Sequence, residues 1–412
     1  MKLPLFPLFT LAVLLAGPAR AANVYILHDA ATPQAAYAAR KISDTLISQG
    51  HHVLPNRAGY DHLISLAINS EQLAPEAFSI IPEDKVITIY GGDDRGMIYG
   101  ALALAETLAN GSPLTEISTA APHQSFRGIK FNLPWDSYRP SSALDQHADT
   151  VKDLEFWTAF LDMMVANRFN AISLWNIHPY SYMIRPRNFP EASPWSDAEF
   201  AEWQHLYREI FRLAKERRLD TYIVSWSIFV SQSFSDAHGV ATHNFYPHYY
   251  GPGDTSEIVR RYLRESVTQV LEEYPDLDGI GLSHGEGMGG MTPQERQDWM
   301  DDVIIAGALA ADRPVKLIHR APFSANLDSG GSTSSTAEVV TRRAMERLGD
   351  AFDGPIWVEM KFNWSHAHST PNLEKVHGGK LGDTYFKPEP ENYKVTWQAR
   401  NEDFFALRWG VP

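Results

Sequence analysis

From Phe126 to the end of the chain, short segments rich in β-branched and aromatic residues alternate with longer amphipathic segments. The strand-like segments are FRGIKFNL, NAISLWNI, DTYIVSWSIFV, LDGIGLS, VKLIHRA, PIWVEMKFN and YKVTWQA. They recur at intervals of roughly 35–50 residues with a helix-like segment between neighbours, which is typical of βα units and a parallel sheet. No glycine-rich phosphate-binding motif follows the first strand, which weighs against a doubly wound dinucleotide-binding sheet. The pattern therefore predicts a (β/α)8 TIM barrel over residues 126–412.

The predicted barrel is one strand short, because the sequence shows seven convincing strands where a closed barrel has eight. Three explanations stay open. The segment FFALRWG supplies the eighth strand, the barrel is incomplete at its C-terminus, or another chain completes it.

The chain before the barrel predicts a separate small α/β domain over residues 23–120. ANVYILHDA and DKVITIYGG are typical strands, and each precedes a helix-like segment. The second helix begins after two aspartates in DDRGMIYGALALAETLAN and ends at an Asn-Gly pair. A polar, proline-containing stretch, STAAPHQ, marks the boundary with the barrel.

The N-terminus predicts export from the cytoplasm. Residues 1–21, MKLPLFPLFTLAVLLAGPARA, combine a lysine, an apolar run and a small-residue site, which is typical of a cleaved secretory signal peptide. A membrane anchor is the alternative, but the apolar run is short for a span. We expect a periplasmic or secreted protein with no membrane association after cleavage.

Composition restricts the partners. The chain contains no cysteine, so disulfides, thiolate metal sites and a cysteine nucleophile are excluded. Its net charge of −14 argues against nucleic acid as a partner. No cofactor motif is present and we predict no cofactor; the sequence leaves the oligomeric state open.

The carboxyl ends of the predicted strands carry polar and aromatic side chains at nearly every position. Active sites of TIM barrels lie at this face. Tryptophan rings stack on sugars, whereas amide, cationic and carboxylate groups bind hydroxyls. We therefore predict a carbohydrate-binding site, although Trp175 or Trp226 taken alone is more typical of the core than of a sugar platform. Its predicted substrate-binding residues are Lys130, Asn132, Trp135, Trp175, Asn176, His178, Trp226, His284, His319, Arg320, Lys361, Asn363, Trp397, Arg400 and Glu402.

Glu286 is the strongest candidate for a catalytic acid. It lies in GIGLSHGEGMGG, where an apolar strand ends in serine, histidine and glutamate among glycines that let a ligand approach. The alternative is a surface glutamate in a glycine-rich turn before the helix that starts near Thr292. Glycoside hydrolysis needs two carboxyl groups, one that protonates the leaving oxygen and one that acts as nucleophile or base.

Glu359 is the predicted second carboxylate. Lys361, two residues further along the same strand, shares its face and would keep the carboxylate ionised. A buried ion pair that only fills the barrel is the alternative. Glu402 and Asp403 are other options for the second carboxylate, followed by Asp136.

The histidines leave a metal-dependent reaction open. His366 and His368 would lie on one face of a strand, and His284 and His319 could join them. The first strand carries no His-x-His pair and no aspartate ends the last one, so we predict no metal. His178, His243 and His248 are predicted to lie in loops, where they would bind solvent or substrate.

The segment VITIYGGDDRGMIYGALALAETL resembles the small domain that precedes the barrel in bacterial α-glucuronidases of glycoside hydrolase family 67 and in β-N-acetylhexosaminidases. FRGIKFNLPWDSYRP and FWTAFLDMMVANRFNAISLWNIHPY resemble the first strand, first helix and second strand of their barrels. The resemblance extends over most of residues 23–300. It implies an exported exo-glycosidase acting on plant or algal polysaccharide fragments, with Glu286 at the position of the acid.

One departure concerns the chemistry. Position 285 is a glycine, whereas the hexosaminidases carry an aspartate before the acid, so acetamido-assisted catalysis is not expected. Lys130, Arg320, Lys361 and Arg400 instead favour a substrate that contains uronic acid.

Three functions are thus carried forward. The leading prediction is an exo-acting glycoside hydrolase, and the alternatives are a non-catalytic carbohydrate-binding protein on a degenerate barrel and a metal-dependent hydrolase or lyase.

Overall fold

The computed structural model describes residues 21–133, 148–226, 228–240, 252–284, 287–322, 335–362, 386 and 388–399. These residues form two compact units. The first contains the described residues up to Arg127 together with Phe160–Asn170 and Leu213–Leu219. The second contains Gly128–Ala159, Ala171–Arg212 and the described residues from Asp220 onward. The predicted signal peptide lies outside the described residues.

The first unit is built on a six-stranded sheet of order β2-β1-β3-β5-β4-β6, in which β4 is antiparallel to β5 and β6 and the other pairs are parallel. Alternate strand residues and one stripe of each helix form its core. The bounds are β1 Asn23–Leu27, α1 Pro33–Ser48, β2 His52–Leu54, β3 His62–Ile68, β4 Phe78–Glu83, β5 Val86–Gly91, α2 Asp94–Ala109 and β6 Ile117–Ala120.

Two stretches that the sequence assigned to the barrel belong to this first unit. Val165 packs in its core. Asp162 accepts a hydrogen bond from the Tyr37 hydroxyl at 2.9 Å and pairs with Lys41 at 2.5 Å. Hydrophobic patterning alone does not show such a sharing of residues, because it carries no information on which core a helix end joins.

The start of α2 shows why the GGDDRG motif has this sequence. Asp93 caps the helix, since its side chain accepts from the backbone N–H of Gly96 at 2.7 Å and of Glu76 at 3.1 Å. Arg95 pairs with Glu76 at 2.7 Å. A Cβ atom on Gly96 would lie 2.1 Å from the carbonyl oxygen of Ala77, so this position has room only for glycine.

Gly96→Ala is therefore expected to lower the free energy of unfolding of the first unit by roughly 1–3 kcal/mol, because backbone must shift to admit the methyl group. Urea titration followed by circular dichroism measures this change. Glu106→Ala, on the exposed face of the same helix, is the control and should change stability by less than about 0.5 kcal/mol. Equal stability of Gly96→Ala and the wild type would contradict the packing argument.

The second unit contains seven parallel strands in the order β7 to β13, each paired with its neighbours in the chain. This order confirms the predicted barrel-type fold. FFALRWG, the possible eighth strand, lies outside the described residues. The strands are β7 Gly128–Asn132, β8 Ala171–Asn176, β9 Asp220–Trp226, β10 Gly279–Ser283, β11 Lys316–Arg320, β12 Ile356–Phe362 and β13 Tyr393–Ala399.

Helices connect successive strands of this sheet. A short π-helix, Asp301–Ile305, joins α9 to α10. The helices are α3 Ala148–Lys152, α4 Leu154–Ala166, α5 Tyr180–Met183, α6 Asp197–Glu216, α7 Gln232–His238, α8 Glu257–Glu273, α9 Pro293–Met300, α10 Ala306–Leu309 and α11 Ser335–Leu348. Within the described residues, none of the helices is both long and apolar enough for a membrane span.

The glycines of β10 serve strand packing. Gly281 is paired with Val224 of β9, and a Cβ atom on Gly281 would lie 2.5 Å from a methyl carbon of that valine. Gly279 is similarly close to the Lys316 carbonyl oxygen and the Tyr222 ring. These two glycines of the GIGLSHGEGMGG segment therefore let neighbouring strands pack, and do not open space for a ligand.

Candidate active site

One row of side chains runs across the carboxyl ends of the second sheet. Paired residues of neighbouring parallel strands share a face, and so do residues two apart on one strand. Asn132 pairs with Trp175, Trp175 pairs with Val224, and Trp226 pairs with Ser283. These four polar or aromatic residues therefore lie on the same face of the sheet.

Strands β11 and β12 continue this row. Arg320 donates a hydrogen bond to the Ser283 hydroxyl at 2.5 Å, and its backbone pairs with Glu359. The Arg320 guanidinium carbon also lies 5.9 Å from the centre of the Trp175 ring. Strands β8 and β11 are three steps apart, about 14 Å in a flat sheet. The two side chains meet across three strands, which is consistent with the concave face of a curled sheet.

We call this group the concave cluster. It consists of Lys130, Asn132, Trp175, Trp226, Ser283, Arg320 and Glu359.

Trp175 lies at the centre of the concave cluster and binds cations through its ring. The Lys130 ammonium nitrogen lies 4.1 Å from the ring centre, and the Trp226 ring meets it edge-on at 6.2 Å. Its indole N–H donates to the Ser173 hydroxyl at 2.8 Å. Trp175 is only 1 % exposed. The ring therefore holds two positive charges in place and does not present a free surface to a sugar.

Glu359 brings a carboxylate to the same face. Its side chain is 6 % exposed, and it lies beside Arg320 in the strand register. A buried carboxylate is stable only where cations or hydrogen-bond donors compensate its charge. The arrangement places one carboxylate, Glu359, and two cations, Lys130 and Arg320, on the same concave face, with Glu359 level with Arg320 at the end of β11.

Three predicted binding residues face the helices instead. The Asn176 amide donates to the Leu133 carbonyl at 3.2 Å and accepts from the His178 N–H at 2.8 Å. His178 lies in the loop after β8, as predicted, but it is buried there, and its Nε2 lies 2.7 Å from the Tyr262 hydroxyl of α8. His319 Nε2 lies 3.3 Å from the Gln297 amide of α9. The structure does not bring these three residues to the concave cluster.

His284, which follows β10 directly, is a buried imidazole near His319. Their ring centres are 6.1 Å apart. Burial first, and then electrostatic interactions with His319, Arg296 and Arg320, hold the pKa of His284 well below its usual value. Within the described part of the chain, neither ring nitrogen of His284 has a hydrogen-bond partner. His284 is thus a neutral side chain beside the cluster.

Two of the remaining predicted residues belong to strands β12 and β13. For Lys361 and Trp397 only the backbone is described, and it pairs with Gln398 and Met360, respectively. Several candidates lie outside the described residues: Glu286, Trp135, Asn363, Arg400, Glu402, Asp136, Asp403, His243, His248, His366 and His368.

Two further observations concern the composition of the site. Within the described ranges, no three histidine or carboxylate side chains are grouped so as to hold a metal ion. Ser283 was not among the predicted residues, although its position as the last residue of β10 was a signal that could have identified it.

Solved structures with the same fold are glycoside hydrolases. A family 138 enzyme that targets the pectin rhamnogalacturonan II has a TM-score of 0.68 and 22 % identity, over 84 % of this chain and 49 % of that one. The β-N-acetylhexosaminidase from Bacteroides fragilis has a TM-score of 0.56 and 13 % identity, over 95 % and 84 %. The family 20 β-N-acetylhexosaminidase from Streptomyces coelicolor gives 0.57 and 11 %, over 92 % and 82 %.

At these identities the similarity shows a shared fold. This chain spans about half the length of the family 138 enzyme. No protein-family model matches the sequence. No curated protein matches it either. The hexosaminidase part of the sequence resemblance recurs among the structural neighbours, whereas the relation to family 67 stays a prediction.

Proposed function

We propose that this protein is an exo-acting glycoside hydrolase of the α-glucuronidase type, for oligosaccharides that contain uronic acid. Glu286 is its general acid and Glu359 the second carboxylate. The observation that carries the proposal is the buried carboxylate of Glu359 on the concave face, in one row with Arg320, Ser283 and Trp226. Barrel enzymes place their reacting groups at the carboxyl ends of the strands, and Trp226, Ser283 and Arg320 are the last residues of β9, β10 and β11.

The chemistry requires a pair of carboxyl groups on either side of the glycosidic bond. One carboxylic acid protonates the leaving oxygen, and the other carboxylate attacks the sugar or activates water. Glu359 is on β12 and Glu286 follows β10, two strands away. Strands two apart are separated by about 10 Å, so carboxyl groups that belong to them can flank one sugar ring, and the glycosidase fold of the structural neighbours supports this reading.

The cations of the concave cluster favour an acidic sugar. The chain carries a net charge of −14, yet Lys130 and Arg320 both lie on this face around Trp175. Arginine and lysine bind carboxylates through charge-assisted hydrogen bonds. Lys361 and Arg400 are proposed to bind the carboxylate of the substrate as well.

The substrate class is tested with paired aryl glycosides that differ only in a C6 carboxylate or hydroxymethyl group, with and without a chelator. Lys130→Met is expected to lower kcat/KM for the uronide by roughly tenfold to a hundredfold, because a charge-assisted hydrogen bond is lost. The neutral glycoside should be affected much less.

Lys152→Met is the matched control, since Lys152 lies 4.8 Å from the ring centre of Trp203 and is absent from the concave cluster. Equal losses for both substrates in Lys130→Met would remove the argument for a uronide. Turnover abolished by the chelator would favour a metal-dependent hydrolase, and binding of either sugar without turnover would favour a binding protein.

We also propose that the protein is exported, to the periplasm or beyond, because residues 1–21 have the pattern of a signal peptide. Mass spectrometry of the protein from its own cells should find an N-terminus near Ala22. An intact Met1 on the purified protein would contradict export with cleavage.

A further inference from the structure

The first unit contains a cavity of about 480 Å³ between α1 and the strands β1 and β2. It opens at the carboxyl ends of these two parallel strands, where open α/β sheets bind ligands. Its volume lies within the range of sites for small molecules. Ala36, Ala39 and Ser43, on one stripe of α1, line it together with Tyr25. Their small side chains leave the space between the helix and the sheet edge unfilled.

The ionisable nitrogen-containing side chains of this cavity are basic, and none of its lining residues, all of them described, carries a carboxylate. The basic side chains are those of His28 and Arg40. The Arg57 guanidinium carbon lies 6.0 Å from the centre of the Tyr25 ring. The cavity thus has two basic lining residues and a third beside its Tyr25 ring, in a chain with a net charge of −14. An anionic ligand is therefore favoured over a neutral or cationic one.

The basic groups keep hydrogen-bonding atoms available for such a ligand. Arg40 is about half exposed, and its nearest oxygen on Glu216 is 3.9 Å away, longer than a hydrogen bond. His28 Nδ1 lies 3.2 Å from the Ile26 carbonyl oxygen and donates to it, so Nε2 of the neutral ring can accept a hydrogen bond from a hydroxyl group of the ligand. Asp29, the nearby acid, is turned back onto Thr32 and Ala31 by hydrogen bonds of 2.8 and 3.0 Å.

We propose that this cavity is a second carbohydrate-binding site, in which Arg40 binds the carboxylate of an acidic sugar, His28 Nε2 accepts from a sugar hydroxyl and Tyr25 contacts the sugar ring. The Ser43 hydroxyl supplies a further hydrogen bond to the sugar. The site would hold an acidic polysaccharide independently of hydrolysis, and the choice of a sugar as ligand rests on the function proposed above.

Methyl NMR provides the test, because Ile26, Val53 and Leu54 line the cavity and report on it directly. Galacturonate and glucuronate are titrated into the full chain, with galactose and glucose as neutral probes. We expect the uronates to shift these three methyl groups, and the neutral sugars to bind at least roughly tenfold more weakly. Uronates that leave these methyl groups unshifted, or neutral sugars that bind equally well, would overturn the proposal.

Variants locate the effect. Arg40→Ala should raise the Kd for galacturonate roughly tenfold, and Ala36→Leu, which fills the cavity, should abolish the shifts. Arg187→Ala is the control, because Arg187 is also exposed and lies in the second unit. An unchanged Kd for galacturonate in Arg40→Ala would contradict the proposal that Arg40 binds the carboxylate of the sugar.

The turnover of a small aryl uronide by Arg40→Ala is measured separately and should equal that of the wild type. Methyl shifts without any hydrolysis would refute the proposed enzyme and leave the second site standing. Hydrolysis without any methyl shifts would refute the second site and leave the proposed enzyme activity standing.

Discussion

Replacing Glu359 by glutamine is expected to lower the turnover of uronic acid glycosides by roughly 10²–10⁴-fold. Glutamine keeps the volume and one carbonyl oxygen for the groups around it, but it cannot act as nucleophile or base. Because the side chain is buried beside Arg320, the variant will lose some stability as well. Turnover must therefore be compared at a temperature where thermal melting shows both proteins to be folded.

Glu286→Gln should show a different dependence on the leaving group. A general acid matters most for a leaving group that needs a proton, so this variant should lose most turnover on alkyl glycosides and much less on dinitrophenyl glycosides. Glu359→Gln should be impaired on both substrates, because its role does not depend on the leaving group. The contrast assigns the two carboxyl groups without a structure of the complex.

Glu338→Gln is the matched control for these variants. Glu338 is also a buried glutamate, but it lies on α11 and not on the concave face. Wild-type turnover is expected. If Glu359→Gln retained full turnover too, Glu359 would have only a structural role. It would then belong to a buried ion pair that fills the barrel, which is the alternative stated in the sequence analysis.

The strands of the barrel were predictable because each is a short segment rich in β-branched and aromatic residues, and the central ones are nearly continuous apolar runs. β8 and β10 are buried at every residue, which is what a sheet covered on both faces requires. Their carboxyl ends could therefore be read from the sequence. The site at those ends needed one more piece of information, namely which residues share a face.

The sequence did not show which of two adjacent strand residues faces the interior of the barrel. Trp175 and Asn176 were both predicted to bind substrate, as were His319 and Arg320. Side chains alternate along a strand, so only one member of each pair can face the cavity of a barrel. The structure selects Trp175 and Arg320, and it directs Asn176 and His319 toward the helices. The choice depends on the curvature of the sheet, which long-range packing determines.

Acidification from pH 7 to pH 5 is expected to destabilise the protein steeply, because three buried histidines are neutral in the fold. Burial lowers the pKa of His178 to about 3 and that of His319 to about 4, and His284 is shifted in the same direction. The unfolded chain binds these protons near pH 6.5, whereas the folded chain does not. Their contribution to stability is therefore complete above pH 6.5 and is lost as the pH falls toward the folded pKa values.

His319 has a specific reason to resist protonation. Its Nδ1 lies 2.9 Å from the Arg320 carbonyl oxygen and donates to it, so Nε2 is the acceptor for the Gln297 amide. Thr341 donates to the oxygen of that amide at 2.9 Å, which fixes its orientation. A proton on Nε2 would face another donor in a buried setting, which costs free energy beyond desolvation.

Below pH 6.5, each such histidine lowers the free energy of unfolding by about 1.4 kcal/mol for every unit by which the pH falls. Three together therefore give a slope of roughly 4 kcal/mol per pH unit. Urea unfolding at pH 7, 6 and 5 measures the slope above the range where most carboxylates titrate. In His319→Gln the loss between pH 7 and pH 5 should be smaller by roughly 2 kcal/mol, since glutamine does not titrate. His205→Gln, at an exposed position of α6, should retain the wild-type slope. A wild-type slope in His319→Gln would mean that its protonation is not linked to unfolding, and that the Gln297 amide does not hold the ring in the neutral form.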